Sequence, residues 1–132
     1  MVKKKSILSS AELIAEILSD DEGVKSLVKM FYPIMPPDQA STPYVVYRIA
    51  KVYTNPNSQG SADTADIEVM CCGTTVAQMI ETSEVVRCAL DGVQSVSGDG
   101  LLKMRSCQLT GCTEGWEAQT YYRTLTFRVR IN

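Results

Sequence analysis

An α+β domain, one mainly antiparallel sheet with helices packed on one face, is the architecture this sequence predicts. The first observation is order: helical patterns open the chain, strand patterns follow, a second helix comes after Gly73, and strands close it. The second is the terminal stretch YYRTLTFRVRIN, where Leu125, Phe127, Val129 and Ile131 alternate with Thr124, Thr126, Arg128 and Arg130. A clean period of two marks a strand with one face in a core and the other toward polar surroundings. The third is size: 132 residues, 45% of them hydrophobic, supply one core and are too few for two. The whole of 1–132 is therefore read as a single domain, with 1–8 as a flexible lead-in.

Each element has a local cause. Ser9 with Glu12 three residues on predicts a capping box, and Leu8 with Leu13 a hydrophobic staple, at the start of a helix whose apolar face is Leu13, Ile14, Ile17 and Leu18. Asp20 and Asp21 end that helix and can cap a second short one carrying Val24, Leu27 and Val28. In KMFYPIMPP the prolines Pro33, Pro36 and Pro37 forbid helix, so this segment reads as an edge strand or a strapping loop. Pro43 then introduces a strand in which Val45, Tyr47 and Ile49 face one way and Tyr44, Val46, Ala50 and Val52 the other. A strand apolar on both faces needs two coverings, and the second comes from elsewhere in the chain or from another subunit. The exposed apolar surface expected from Tyr44, Val46 and Val52 is accordingly the candidate oligomer interface.

The segment TNPNSQGSAD, Thr54 to Asp63, is polar, rich in turn residues and longer than an ordinary hairpin connection. Its Asn55, Asn57, Gln59 and Asp63 form the candidate contact loop of the molecule. Beyond it, Ala65, Ile67, Val69 and Cys71 are assigned inward and Asp66 and Glu68 outward, completing a hairpin with the preceding strand. Thr75 and Gln78 predict a capping box for the longest helix, Gly92 its stop, and Val76, Met79, Ile80, Val86, Ala89 and Leu90 its buried face. A turn, SVSGDG, leads to a weaker strand around Leu101 to Leu109.

The chemistry-bearing residues are sparse. There is no histidine, so no Ser-His or Cys-His pair exists and no imidazole can bind a metal. The five cysteines, Cys71, Cys72, Cys88, Cys107 and Cys112, show no zinc spacing and read as small apolar residues of a reducing compartment. Adjacent Cys71 and Cys72 on a strand point to opposite faces. Asp63, Asp66 and Glu68 read as a solvated acidic face rather than a metal cluster. Gly92, Gly98 and Gly100 lack the lysine and spacing of a phosphate loop. Arg123, Arg128 and Arg130 suit edge protection or interface ion pairs, because a formal net charge of −2 provides no field for nucleic acid. No apolar run reaches the roughly 18 residues of a membrane span, and the lysines at positions 3–5 are not followed by a signal-peptide core, so the chain reads as folding in a cytoplasm. No catalytic residue, cofactor site or metal site is assigned.

Met30-Phe31-Tyr32-Pro33, Pro43-Tyr44-Val45-Val46-Tyr47, ADIEVMCCGTTVAQMIETSEVVRCAL and the closing YRTLTFRVRI together resemble the tail completion family of long-tailed phages and prophages. These are small proteins, long carried as a domain of unknown function beside tail genes, and similar in fold to the tail terminators of lambda-like phages. The likeness runs from about Ser10 to Ile131 and departs from the pattern at Cys71-Cys72 and in the lysine-rich start. It implies an α+β protomer without catalysis that assembles as a ring, commonly a hexamer. The implied partners are further copies of itself, the tail tube protein and the head-tail connector, and the implied location is the host cytoplasm and then the virion tail. Two other classes stand beside it: a small enzyme using Cys71 or Cys72 as a thiolate, and a peptide-binding module using an open sheet edge.

Overall fold

The structure is a computed structural model that describes residues 4–53 and 63–131. Lys5 donates its backbone N–H to the Leu101 carbonyl (3.0 Å) and pairs with Asp99 (2.6 Å), and Ile7 is buried. Ser6, not Ser9, is the first cap, its hydroxyl accepting from the Leu8 N–H at the head of a 3-10 turn, Ile7–Ser9. That turn runs directly into helix α1, Ser10–Asp20, so the Ser9 side chain makes no capping bond and the expected capping box is absent. The staple is absent too, since Leu8 is exposed while Leu13 is buried. The extra turn rotates Leu8 to the outside. As predicted, Asp21 caps the next helix, α2, Glu22–Leu27, through Oδ1 and the Val24 N–H (3.0 Å).

Strands β1 (Met30–Pro33), β2 (Tyr44–Tyr53), β3 (Thr64–Gly73), β4 (Ser95–Val96), β5 (Lys103–Glu117) and β6 (Thr120–Ile131) form one six-stranded sheet in the order β1-β2-β3-β6-β5-β4. Among the described residues only the β1–β2 pairing is parallel. The fold is therefore α+β, with a mixed, mostly antiparallel sheet and helices packed against it. β1 is an edge strand, where its proline withdraws no donor from a neighbouring ladder. The last strand, β6, lies inside the sheet between β3 and β5, so its arginines do not guard an edge.

One core lies between the helices and the sheet. β3 supplies Ala65, Ile67, Val69 and Cys71 and β6 supplies Leu125, Phe127, Val129 and Ile131, the inward sets that alternation assigned. Helix α3, Val76–Leu90, is capped as expected by Thr75, whose Oγ1 accepts from the Gln78 N–H (3.1 Å), while Gln78 reaches back to the Thr74 N–H (2.8 Å). Gly92 takes a φ of +83° beyond its end, which favours glycine. The buried face differs from expectation, comprising Met79, Thr82, Ser83, Val86, Ala89 and Leu90, with Val76 and Ile80 exposed. Thr82 and Ser83 satisfy their hydroxyls on the carbonyls of Gln78 and Ile80 (both 2.8 Å), so their burial leaves no unpaired polar group.

Two strands depart from the simple alternation. In β2 the register shifts between Ile49 and Lys51, and this bulge returns Val52 to the helix side, where it packs on the main core. Val52 therefore does not share a face with Tyr44 and Val46. β5 continues to Glu117, far beyond Leu109, with register shifts after Met104 and Leu109. It joins β6 through Ala118 and Gln119, both at positive φ (50° and 62°), the backbone of a type I′ turn made without asparagine or glycine.

Candidate functional site

Three surfaces distinguish the molecule, and the first is where β2 begins and β3 ends, on the sheet face away from the helices. Tyr44, Val46 and Cys72 are buried there beneath Tyr32, Ala40, Met70 and Tyr122, with the Tyr32 and Tyr44 rings edge-to-face at 5.7 Å. The second apolar face of β2 is thus covered by this chain itself. After β1 the backbone turns at Ile34 (φ 69°), whose N–H bonds the Tyr47 carbonyl (2.9 Å), and again at Gln39 (φ 60°), before returning to Tyr44. That strap forms one wall of an open groove of about 750 Å³, the turn of the β5–β6 hairpin forms the other, and Tyr44, Met70, Cys72 and Tyr122 lie between. Burial pushes the Tyr44 phenol up to about 12 and the Cys72 thiol up to about 11.

The second surface is a polar ladder farther along the same sheet face. Arg48 donates from Nε to Glu68 (2.8 Å). Arg128 donates to Asp66 (3.0 Å) and to the Tyr53 hydroxyl (2.8 Å), which itself donates to Asp66 (2.6 Å). The cationic groups of Lys51 and Arg128 each lie 4.7 Å from the centre of the Tyr53 ring. Burial alone pushes the Asp66 carboxyl up, but its bonds from Arg128 and Tyr53 outweigh that and hold it below the ordinary carboxylate range. Asp66 and Glu68 are therefore not a free acidic face; each is committed to an arginine of a neighbouring strand.

The third surface is the β5–β6 hairpin where it extends past the helices. Arg123 pairs with Glu114 (2.6 Å) and donates to the Ser83 hydroxyl (2.9 Å), tying the hairpin to α3. Beyond that link Trp116 is exposed, its ring 6.5 Å from that of Tyr121. A Cβ at Gly115 would collide with the Tyr122 phenol across the sheet, so only glycine fits there without displacing that ring.

Of the residues singled out from sequence, Tyr44 and Val46 come together but are internal, Val52 lies on the opposite face, and Asn55, Asn57 and Gln59 lie outside the described residues. Asp63 is exposed and accepts the Ile131 N–H on its carbonyl (2.9 Å). The hairpin extension was missed because Gly111, Gly115 and an Ala-Gln turn carry no strand or turn signature. Its only signal was the pair of aromatic residues, Trp116 and Tyr121, on either side of that turn.

Among the described residues no three His, Cys, Asp or Glu side chains stand close enough to hold a metal ion. Burial raises the Cys71 thiol strongly and pushes the Cys107 thiol up to about 12, the opposite of what an attacking thiolate needs. No helix among the described residues is long and apolar enough to cross a membrane.

The fold defines the chain as an α+β protein with helices packed against a mixed, mostly antiparallel sheet. No family model matches the sequence, and no curated protein matches it. Its fold is shared with a chain of a solved structure described as the virion of a native gene transfer agent particle. The two are 16% identical, with a TM-score of 0.71 over 96% of this chain and 98% of that one. At that identity the likeness is one of fold.

Proposed function

We propose that this chain is a structural virion subunit that completes a phage-type tail, closing the tube end as a ring and joining it to the head connector. The observation that carries this is the end-to-end correspondence in fold with a gene transfer agent virion chain, both chains being covered almost completely. Such coverage extends the likeness over nearly all of both chains rather than over a shared motif. The sequence likeness to tail completion proteins points the same way, as do buried, raised thiols and committed carboxylates, which suit a scaffold better than a catalyst. The ring has six copies if it follows the family pattern. Assembly takes place in the host cytoplasm before the subunit enters the virion.

Deleting the gene in the phage or prophage that carries it is the direct test. Electron microscopy of the lysate should then show tails of abnormal length and unjoined heads, and supplying the chain in trans should restore joined particles. Normal tails and full infectivity without the gene would overturn the proposal.

A further inference from the structure

The sheet has two edges, and each is open along a limited stretch. β1 has no strand on its outer side among the described residues. β5 is paired on its outer side by β4 only at Lys103 and Met104. The turn after α3 occupies the next positions, with the Gly92 N–H on the Cys107 carbonyl (2.7 Å) and the Leu109 N–H on Asp91 Oδ1 (2.9 Å). From Thr110 to Glu117 no strand among the described residues pairs with that side. Such edges are templates for another strand.

The two open stretches lie on the same rows of the sheet. Met30 aligns with Tyr44, Cys72, Tyr122 and Gly115, and Pro33 with Tyr47, Val69, Leu125 and Cys112. The directions also agree, since β1 runs parallel to β2 and therefore antiparallel to β5. A second copy displaced sideways would present β1 to β5 as an antiparallel neighbour, with Pro33 across from Cys112 and Met30 across from Gly115.

The exposed apolar side chains sort to the same two edges. Leu8, Met30, Ile34 and Met35 lie at or beside β1. Trp116 lies on the open stretch of β5, and Val76 and Ile80 occupy the flank of α3 that Ser83 turns toward the hairpin.

We infer that the β1 edge of one copy adds antiparallel to the Cys112–Glu117 edge of the next, with Met30 of one copy laid across Gly115 of the other. The contact is head-to-tail, leaves the pair one free edge of each kind, and closes into a ring where the rotation permits. It names the self-contact of the ring proposed above and rests on that reading.

Disulfide trapping tests it with the full chain. In a Cys88→Ser background, which removes the other exposed thiol, Pro33→Cys is combined with native Cys112 and oxidised mildly, at high concentration and with tail tubes present. A ladder extending beyond dimer is expected on a non-reducing gel. Two single-site chains, Cys112 alone and Pro33→Cys with Cys112→Ser, should cross-link only when mixed, with circular dichroism confirming that each is folded. Cross-linking of either single-site chain with itself, or no ladder under any of these conditions, overturns the edge contact. Assemblies that cap tubes without the 33–112 link defeat this contact while leaving the tail function standing; linked chains that ignore tubes do the reverse.

Discussion

Phe127→Ala tests the core where the sheet and helices meet. Phe127 is fully buried on the internal strand β6, aligned with buried Ile67 on one side and with Leu109 on the other. Replacement by alanine removes the ring from a site that neighbouring strands hold on both sides, so little collapse can refill the space. The cost should be about 3–5 kcal/mol, the range for an aromatic ring deleted from a core. That is a large share of the roughly 5–15 kcal/mol that stabilises an ordinary domain. The melting temperature should fall by roughly 10–20 °C for a chain of this size. Phe127→Leu, which keeps most of the volume, should cost less than about 1.5 kcal/mol. Urea unfolding followed by far-ultraviolet circular dichroism is the suitable assay, because Trp116 is largely exposed and reports weakly on folding. The midpoint should move while the slope stays constant. A shift below about 1 kcal/mol for alanine, or equal shifts for alanine and leucine, would refute the packing argument.

Four further outcomes follow from the structure. The Asp66 carboxyl has a folded-state pKa below its unfolded value of about 3.8, so the stability it contributes is present above that pH and lost as pH falls through the lower folded value. Asp66→Asn should therefore be less stable than wild type at neutral pH and converge with it in strong acid, as chemical denaturation at several pH values will show. A Cβ at Gly73 would stand 2.7 Å from the Met79 nitrogen at the head of α3, so Gly73→Ala should cost about 1–3 kcal/mol in a thermal melt. Thiol titration of the native protein at neutral pH should find Cys88 and Cys112 reactive and the buried Cys71, Cys72 and Cys107 slow, with all five reacting in denaturant. Shortening Asn55–Ala62 to Asn-Gly should change stability by no more than about 1 kcal/mol, because loop closure depends weakly on length. The same shortening should abolish complementation in phage if that polar loop reaches the tube or connector.

Most of the core was legible from residues alone. Ala65, Ile67, Val69 and Cys71, and the set from Leu125 to Ile131, were readable because strand alternation has a fixed period and one face meets a dry layer. The Asp21 and Thr75 caps and the stop at Gly92 were readable because each depends on a few adjacent atoms. What the sequence left open depended on contacts between distant segments. Val52 changed faces because a bulge inserts one residue without a composition signal, and Tyr44 and Val46 were covered because a strap ten residues away returns over them. Val76 and Ile80 face outward because α3 is positioned by Met79, Val86 and Leu90 and by the Arg123 link, which leaves buried room for Thr82 and Ser83. The extended hairpin and the common level of the two open edges arise only when six strands are set in register. Local patterning chose the elements; the order and register of the strands decided which surfaces remained for a partner.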